Sequence, residues 1–104
     1  MLIMILEKNR SSKTLALELG ISAQSWGKAR ILFKTLSEHP LWNNQRSPHS
    51  LMIDCLYLIV REEGYPLTIS DFKQATIKLF GISTQPRPSD WVGNYQPIID
   101  EVLG

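Results

Sequence analysis

The longest run of apolar residues in the chain extends from Leu51 to Val60 and is interrupted only by Asp54. A helix over this run would be apolar on all sides. Such a helix must be surrounded by other helices, because it has no face to present to water. The pattern therefore predicts a buried helix at the centre of an all-α domain.

Residues that favour helix boundaries lie on both sides of this run. Ser47 can accept a hydrogen bond from a first-turn N–H, and Pro48 suits the first helical position. Gly64 and Pro66 can end the helix, because glycine tolerates a left-handed backbone and proline cannot continue a helix. The central helix is therefore predicted over residues 48–63.

Apolar periodicity and similar boundary residues predict four further helices. In chain order they cover residues 13–19, residues 23 to about 38, residues 69–80, and a stretch from about residue 89 to the end. Thr68 and Asp71 form a variant of the capping box before the helix at 69–80. Pro97 is expected to kink or restart the last helix, because its ring clashes with the preceding turn. The chain is thus predicted to form one domain over residues 1–104, with five principal helices, or six if Pro97 divides the last, and no strand.

Composition and charge are those of an ordinary globular domain. The 104 residues are 43% hydrophobic and 20% charged, with a net charge of +1, which argues against strong non-specific nucleic-acid binding. The charges are nevertheless polarised. Residues 1–46 carry seven basic and three acidic residues, whereas residues 47–104 carry four basic and seven acidic ones. One side of the domain could meet an acidic surface, although two solvated faces explain the pattern equally well.

The sequence gives no reason to expect catalysis, a metal site or a membrane segment. The single cysteine, Cys55, lies in the central helix and is expected to be a small core residue. His39 and His49 have no third ligand nearby, so surface or capping roles are expected. The apolar residues 1–6 are too few to span a membrane or to form a secretory signal. We therefore expect a cytoplasmic protein that is not an enzyme and uses no cofactor, metal ion or small-molecule substrate.

The central stretch resembles a repeat of the transcription initiation factor IIB family, in particular of its archaeal members. The resemblance covers most of residues 14–104 and rests on the order and spacing of four short matches, Ser47-Pro48, Leu56-Tyr57, Arg61 to Gly64 and Pro66 to Thr68. It implies a cyclin-like bundle of five helices around a buried third helix. It also implies a domain that binds the TATA-binding protein on promoter DNA and supports recruitment of RNA polymerase, nucleoid-associated if archaeal.

The resemblance implies two binding surfaces. The DNA-binding residues would be Lys78, Arg87, Ser89 and Asn94. The residues that bind the protein partner would be Lys28, Arg30, Lys34 and Arg46. Family members usually carry more basic residues on the DNA-binding pair of helices, and each lost phosphate contact weakens binding. DNA binding is therefore expected to be weak without the partner.

Two alternatives remain open from the sequence. Residues 14–33 fit a helix-turn-helix, with Gly20 in the turn and Gln24, Ser25 and Lys28 offered to DNA by the second helix. This pattern would make the chain a stand-alone DNA-binding regulator. The acidic second half of the chain instead favours a cyclin-fold module that binds proteins and no nucleic acid.

Overall fold

The structure, a computed structural model, describes residues 12–40, residue 42 and residues 47–104. These residues form five α-helices and no β-strand. In chain order they are α1, which covers residues 12–19, α2 Ala23–Ser37, α3 Pro48–Glu62, α4 Ile69–Phe80 and α5 Val92–Leu103. A 3-10 turn at Pro88–Asp90 precedes α5. The predicted all-α bundle is confirmed, and the bounds of α2, α3 and α4 differ from those expected by at most one residue.

The predicted caps of α3 and α4 are present, and Ser22 caps the start of α2 in the same way. The hydroxyls of Ser22 and Ser47 each accept a hydrogen bond from the backbone N–H three residues later, at 3.1 and 3.2 Å. Across the first turn of α4, Asp71 N–H donates to Thr68 Oγ1 at 3.2 Å and Thr68 N–H donates to Asp71 Oδ2 at 2.8 Å. Gly64 follows α3 with φ at +77°, a conformation that side chains disfavour. The starts of α2, α3 and α4 and the end of α3 are thus encoded within four or five residues.

The central helix α3 is buried on nearly all sides, as the sequence predicted. Its fully buried side chains are Leu51, Met52, Ile53, Asp54, Cys55, Leu56, Ile59 and Val60. Phe72 of α4 packs against this helix, with its ring edge-on to that of Tyr57 at a centroid distance of 5.5 Å. Burial, helped by the neighbouring Asp54 carboxylate, raises the pKa of the Cys55 thiol well above its usual range. The expected core role of Cys55 is therefore confirmed.

A buried carboxylate joins α3 to the start of α5. Asp54 is 0% exposed. Its Oδ1 accepts a hydrogen bond from the backbone N–H of Arg87 at 2.9 Å, and its Oδ2 accepts one from the indole N–H of Trp91 at 2.8 Å. Burying a carboxylate is costly unless donors satisfy it. These two bonds therefore position the 3-10 turn against the central helix.

Aromatic rings pack the connection between α2 and α3 onto α5. The Trp42 ring lies 5.5 Å from that of Trp91 and 5.2 Å from that of Tyr95, centroid to centroid. His39 meets the Tyr95 ring edge-on at 5.7 Å. The aromatic side chains of this connection therefore extend the core.

Helix α5 is one continuous helix that includes Pro97, so the predicted restart at this residue is wrong. Proline at this position removes one donor and leaves the carbonyl of Gly93, four residues earlier, without its usual partner. Gly93 and Pro97 are both exposed, so water can bond to this carbonyl. The helix can therefore continue along its buried face.

Replacing Asp54 with alanine should lower the free energy of unfolding by about 2–4 kcal/mol, because two N–H groups lose a buried acceptor. Asp100 is an exposed control that accepts one hydrogen bond from Gln96. Asp100→Ala should cost less than about 0.5 kcal/mol. Urea unfolding followed by circular dichroism would measure both variants. Equal losses would show that the bonds of Asp54 add little to stability.

Candidate functional site

Helix α2 presents one side to the core and the other to solvent. Its buried side consists of Ser25, Ala29, Leu32 and Leu36. The opposite side carries Gly27, Arg30, Ile31 and Lys34, as expected from the helical period. Ile31 is 60% exposed, although it is a large apolar residue. The exposed side of α2 is therefore both basic and apolar.

Trp26 places a second helix beside this exposed side. Its indole N–H donates to the buried hydroxyl of Ser12 on α1 at 2.9 Å. The guanidinium of Arg30 lies 4.7 Å from the Trp26 ring centroid, and Lys13 Nζ lies 5.9 Å from it. Both distances allow cation–π attraction. Trp26 thus gathers two positive charges from two helices on one surface.

We call the surface formed by Lys13, Trp26, Gly27, Arg30, Ile31 and Lys34 the basic face. Lys34 lies one helical turn after Arg30, so these two side chains are neighbours. Within the described part of the chain, Lys13, Arg30 and Lys34 form no ion pair with a carboxylate. Three positive charges of this face are therefore available to an external partner.

Lys28 differs from the other expected partner-binding residues on α2. Its Nζ lies 3.4 Å from Glu63 Oε2, beside the end of α3. An external carboxylate would have to compete with Glu63 for this lysine. Arg46, the fourth expected residue, lies outside the described residues. The structure therefore places Arg30 and Lys34 together on the basic face and gives Lys28 an internal partner.

The expected DNA-binding residues come from two parts of the chain. Lys78 lies near the end of α4, and Arg87, Ser89 and Asn94 lie around the start of α5, all four exposed. Lys78 Nζ is 3.0 Å from Glu18 Oε1 on α1, and Arg87 Nε is 3.6 Å from Asp90 Oδ2. Both cations are thus paired within the chain, which reduces their attraction for phosphates.

The residues of the helix-turn-helix alternative are not offered together to solvent. Ser25 is only 2% exposed, and its hydroxyl lies 3.0 Å from that of Tyr65. Lys28 is paired with Glu63, as described above, and only Gln24 is exposed without such a contact. A recognition helix needs its reading side chains free to enter a groove. The burial of Ser25 excludes it from that role.

Sequence reasoning missed Lys13 and Trp26 as members of the basic face. The spacing of Trp26 and Arg30, four residues apart on one helix, was a signal that could have indicated their contact. The position of Lys13 could not be predicted from spacing along one helix. It depends on how α1 packs against α2, and that packing involves the bond between Ser12 and Trp26.

Tyr65 links the loop after α3 to the N-terminus of α2 through hydrogen bonds. Its phenol oxygen lies 3.2 Å from Ser22 Oγ and 3.0 Å from Ser25 Oγ, and it accepts a bond from Ser22 N–H at 3.1 Å. Hydrogen bonds with the Ser22 and Ser25 hydroxyls, and then the one from the Ser22 backbone N–H, lower the pKa of Tyr65 below its usual value of 10.0. Hydrogen bonding that stabilises the charged form of an acid lowers its pKa in this way.

A group whose pKa is lowered by folding stabilises the folded state most in its deprotonated form. The ionisation of Tyr65 should therefore add stability above the unfolded pKa near 10.0, and this addition should disappear as the pH falls through the lower folded pKa. Ultraviolet absorbance would follow tyrosine ionisation in the folded protein. The earliest step should vanish in Tyr65→Phe and move to higher pH in Ser25→Ala. An earliest step that persists in Tyr65→Phe would contradict the assignment.

Two other kinds of site find no support among the described residues. The described residues contain no group of three or more histidine, cysteine, aspartate or glutamate side chains that could hold a metal ion. No helix in the same part of the chain is long and apolar enough to cross a membrane. The basic face is therefore the best-defined candidate for a functional surface.

Comparison with known proteins gives no family assignment. No family model, no curated protein and no solved structure matches the chain. The function must therefore be argued from the geometry of the basic face, together with the resemblance carried by the central stretch.

Proposed function

We propose that the chain is a cyclin-like repeat of the initiation factor IIB type that works by binding. Its basic face would contact an acidic surface of the TATA-binding protein while that protein sits on promoter DNA. This contact would stabilise the promoter complex and support recruitment of RNA polymerase. The domain carries out no reaction in this role.

The observation that carries the proposal is the difference between paired and unpaired cations. Lys13 and Arg30 lie against the ring of Trp26, and Lys34 lies one turn after Arg30 on the same helix. None of the three has a carboxylate partner within the described part of the chain. Carboxylates of a partner can bind them without displacing an existing ion pair. Charge complementarity of this kind gives specificity and speeds association. The arrangement therefore favours an acidic partner at this face.

A weak DNA contact beside the protein partner is compatible with the same observations. Lys78 and Arg87 are exposed, with 69% and 61% of their side chains accessible. Exposed ion pairs contribute only about 0–1 kcal/mol, so phosphates can replace Glu18 and Asp90 as partners at low cost. The net gain in binding free energy from this exchange of partners would be small as well. We therefore expect DNA binding that depends on the TATA-binding protein.

Replacing Arg30 and Lys34 together with glutamate should weaken binding to the complex of TATA-binding protein and DNA by roughly 10–100-fold, because attraction becomes repulsion. The measurement is fluorescence anisotropy of a labelled TATA duplex at low salt, with and without the TATA-binding protein of the same organism. Lys73→Glu is the control for a single charge reversal, since Lys73 is an exposed cation on α4, a helix that contributes no residue to the basic face. It should leave the affinity within about twofold.

The same titration separates the alternatives. Binding to the duplex alone, with a steep salt dependence that Lys28→Ala removes, would favour the helix-turn-helix regulator instead. Absence of binding under both conditions would contradict the role at promoters and leave a module that binds other proteins. An equal loss of binding free energy per reversed charge in the double variant and in Lys73→Glu would show that only net charge matters and that the basic face is not the interface.

A further inference from the structure

Gly27 occupies an interior position of α2 where glycine is unfavourable. Glycine destabilises a helix interior relative to alanine, because it loses more backbone freedom on folding. It is not among the glycines with positive φ, so its backbone conformation suits any residue. A Cβ atom built at Gly27 would meet no atom within 4 Å. Nothing inside the described structure therefore requires glycine at this position.

Side chains of two kinds surround this glycine on the exposed side of α2. Arg30 and Lys34 supply unpaired positive charges one and two turns further along the helix. Ile31 lies four residues after Gly27, on the same helical face, and is 60% exposed. The lack of a side chain at Gly27 therefore leaves a depression in the helix surface, between the side chain of Ile31 and those of Arg30 and Lys34.

We infer that an acidic amphipathic helix of a partner protein packs across α2 at Gly27. The missing side chain allows the axes of two helices to come closer than they could over a larger residue. The apolar face of the partner helix would cover Ile31, and its acidic residues would meet Arg30 and Lys34. The inference rests on the proposed function in that both assume an acidic protein partner at the basic face.

The mixed chemistry of the face distinguishes a protein helix from other anionic partners. A phosphate backbone would satisfy Arg30 and Lys34 but would leave Ile31 exposed to water. An anionic lipid surface could take up Ile31 and the cations, but a planar surface gains nothing from the depression at Gly27. A helix with apolar and acidic sides uses all four residues. The geometry therefore favours this occupant.

The probe is a synthetic helix-forming peptide of about 18 residues, with leucines along one face and glutamates flanking them. A scrambled peptide of the same composition controls for charge alone. Two-dimensional amide NMR spectra of the full chain would be recorded during each titration. We expect the amphipathic peptide to shift the signals of Gly27, Ile31 and Lys34 in a saturable manner, at least tenfold more tightly than the scrambled peptide.

Two substitutions of Gly27 test close packing separately from charge. Gly27→Ala should raise the melting temperature by a few degrees, because alanine favours the helix and meets open space, yet it should weaken peptide binding severalfold. Gly27→Leu should abolish detectable binding while circular dichroism shows a folded domain. Gly93→Ala is the matched control, because Gly93 is an exposed helical glycine of α5 whose Cβ would also meet open space. It should leave peptide affinity unchanged.

Three results would overturn the inference. One is equal affinity for the amphipathic and scrambled peptides, which would make the contact purely electrostatic. Another is unchanged peptide affinity in Gly27→Leu. The third is absence of peptide binding. If a DNA duplex or anionic phosphatidylserine vesicles shift the same signals when the peptide does not, the partner of this face is that anion and not a helix. Because this titration contains neither TATA-binding protein nor promoter DNA, its failure is distinguishable from failure of the proposed function.

Discussion

The buried carboxylate of Asp54 holds the segment between α4 and α5 against the central helix α3. The segment between α4 and α5 contains Pro86 and Pro88, which have no backbone N–H to donate and so limit its own hydrogen bonding. Hydrogen bonds to side chains of α3 and α4 hold this segment in place instead. The buried hydroxyl of Thr76 accepts a bond from Thr84 N–H at 3.0 Å, and Asp54 binds Arg87 N–H and the Trp91 indole N–H. The position of α5 follows from these contacts.

The functional proposal depends on which charges the fold neutralises and which it leaves unpaired. Folding brings Glu63 to Lys28, Glu18 to Lys78 and Asp90 to Arg87. It leaves the cations around Trp26 without such partners among the described residues. A chain with a net charge of only +1 thereby presents a concentrated positive surface. Local pairing, and not total charge, decides where an acidic partner can bind.

About half of the candidate site could be predicted from the sequence. Arg30 and Lys34 follow from the helical period of α2, because residues opposite a buried stripe must face solvent. Lys28 was expected beside them, but its pairing with Glu63 depends on a residue 35 positions away. Ser25 was considered a DNA-reading residue, and its burial depends on Tyr65, 40 positions away. Lys13 lies at the basic face only because α1 packs on α2.

Short stretches of the chain are enough to predict α2, α3 and α4 and the central position of α3, because a cap requires only groups that lie within a few residues. Ser22, Ser47 and the pair of Thr68 and Asp71 show this local chemistry, and the apolar run from Leu51 to Val60, interrupted only by Asp54, shows which helix must be buried. The partners of Asp54, 33 and 37 residues away, and the ion pair of Lys78 with Glu18, 60 residues away, become visible only in the folded chain. Such contacts depend on the mutual packing of whole helices. No short stretch of sequence contains both of the groups that meet.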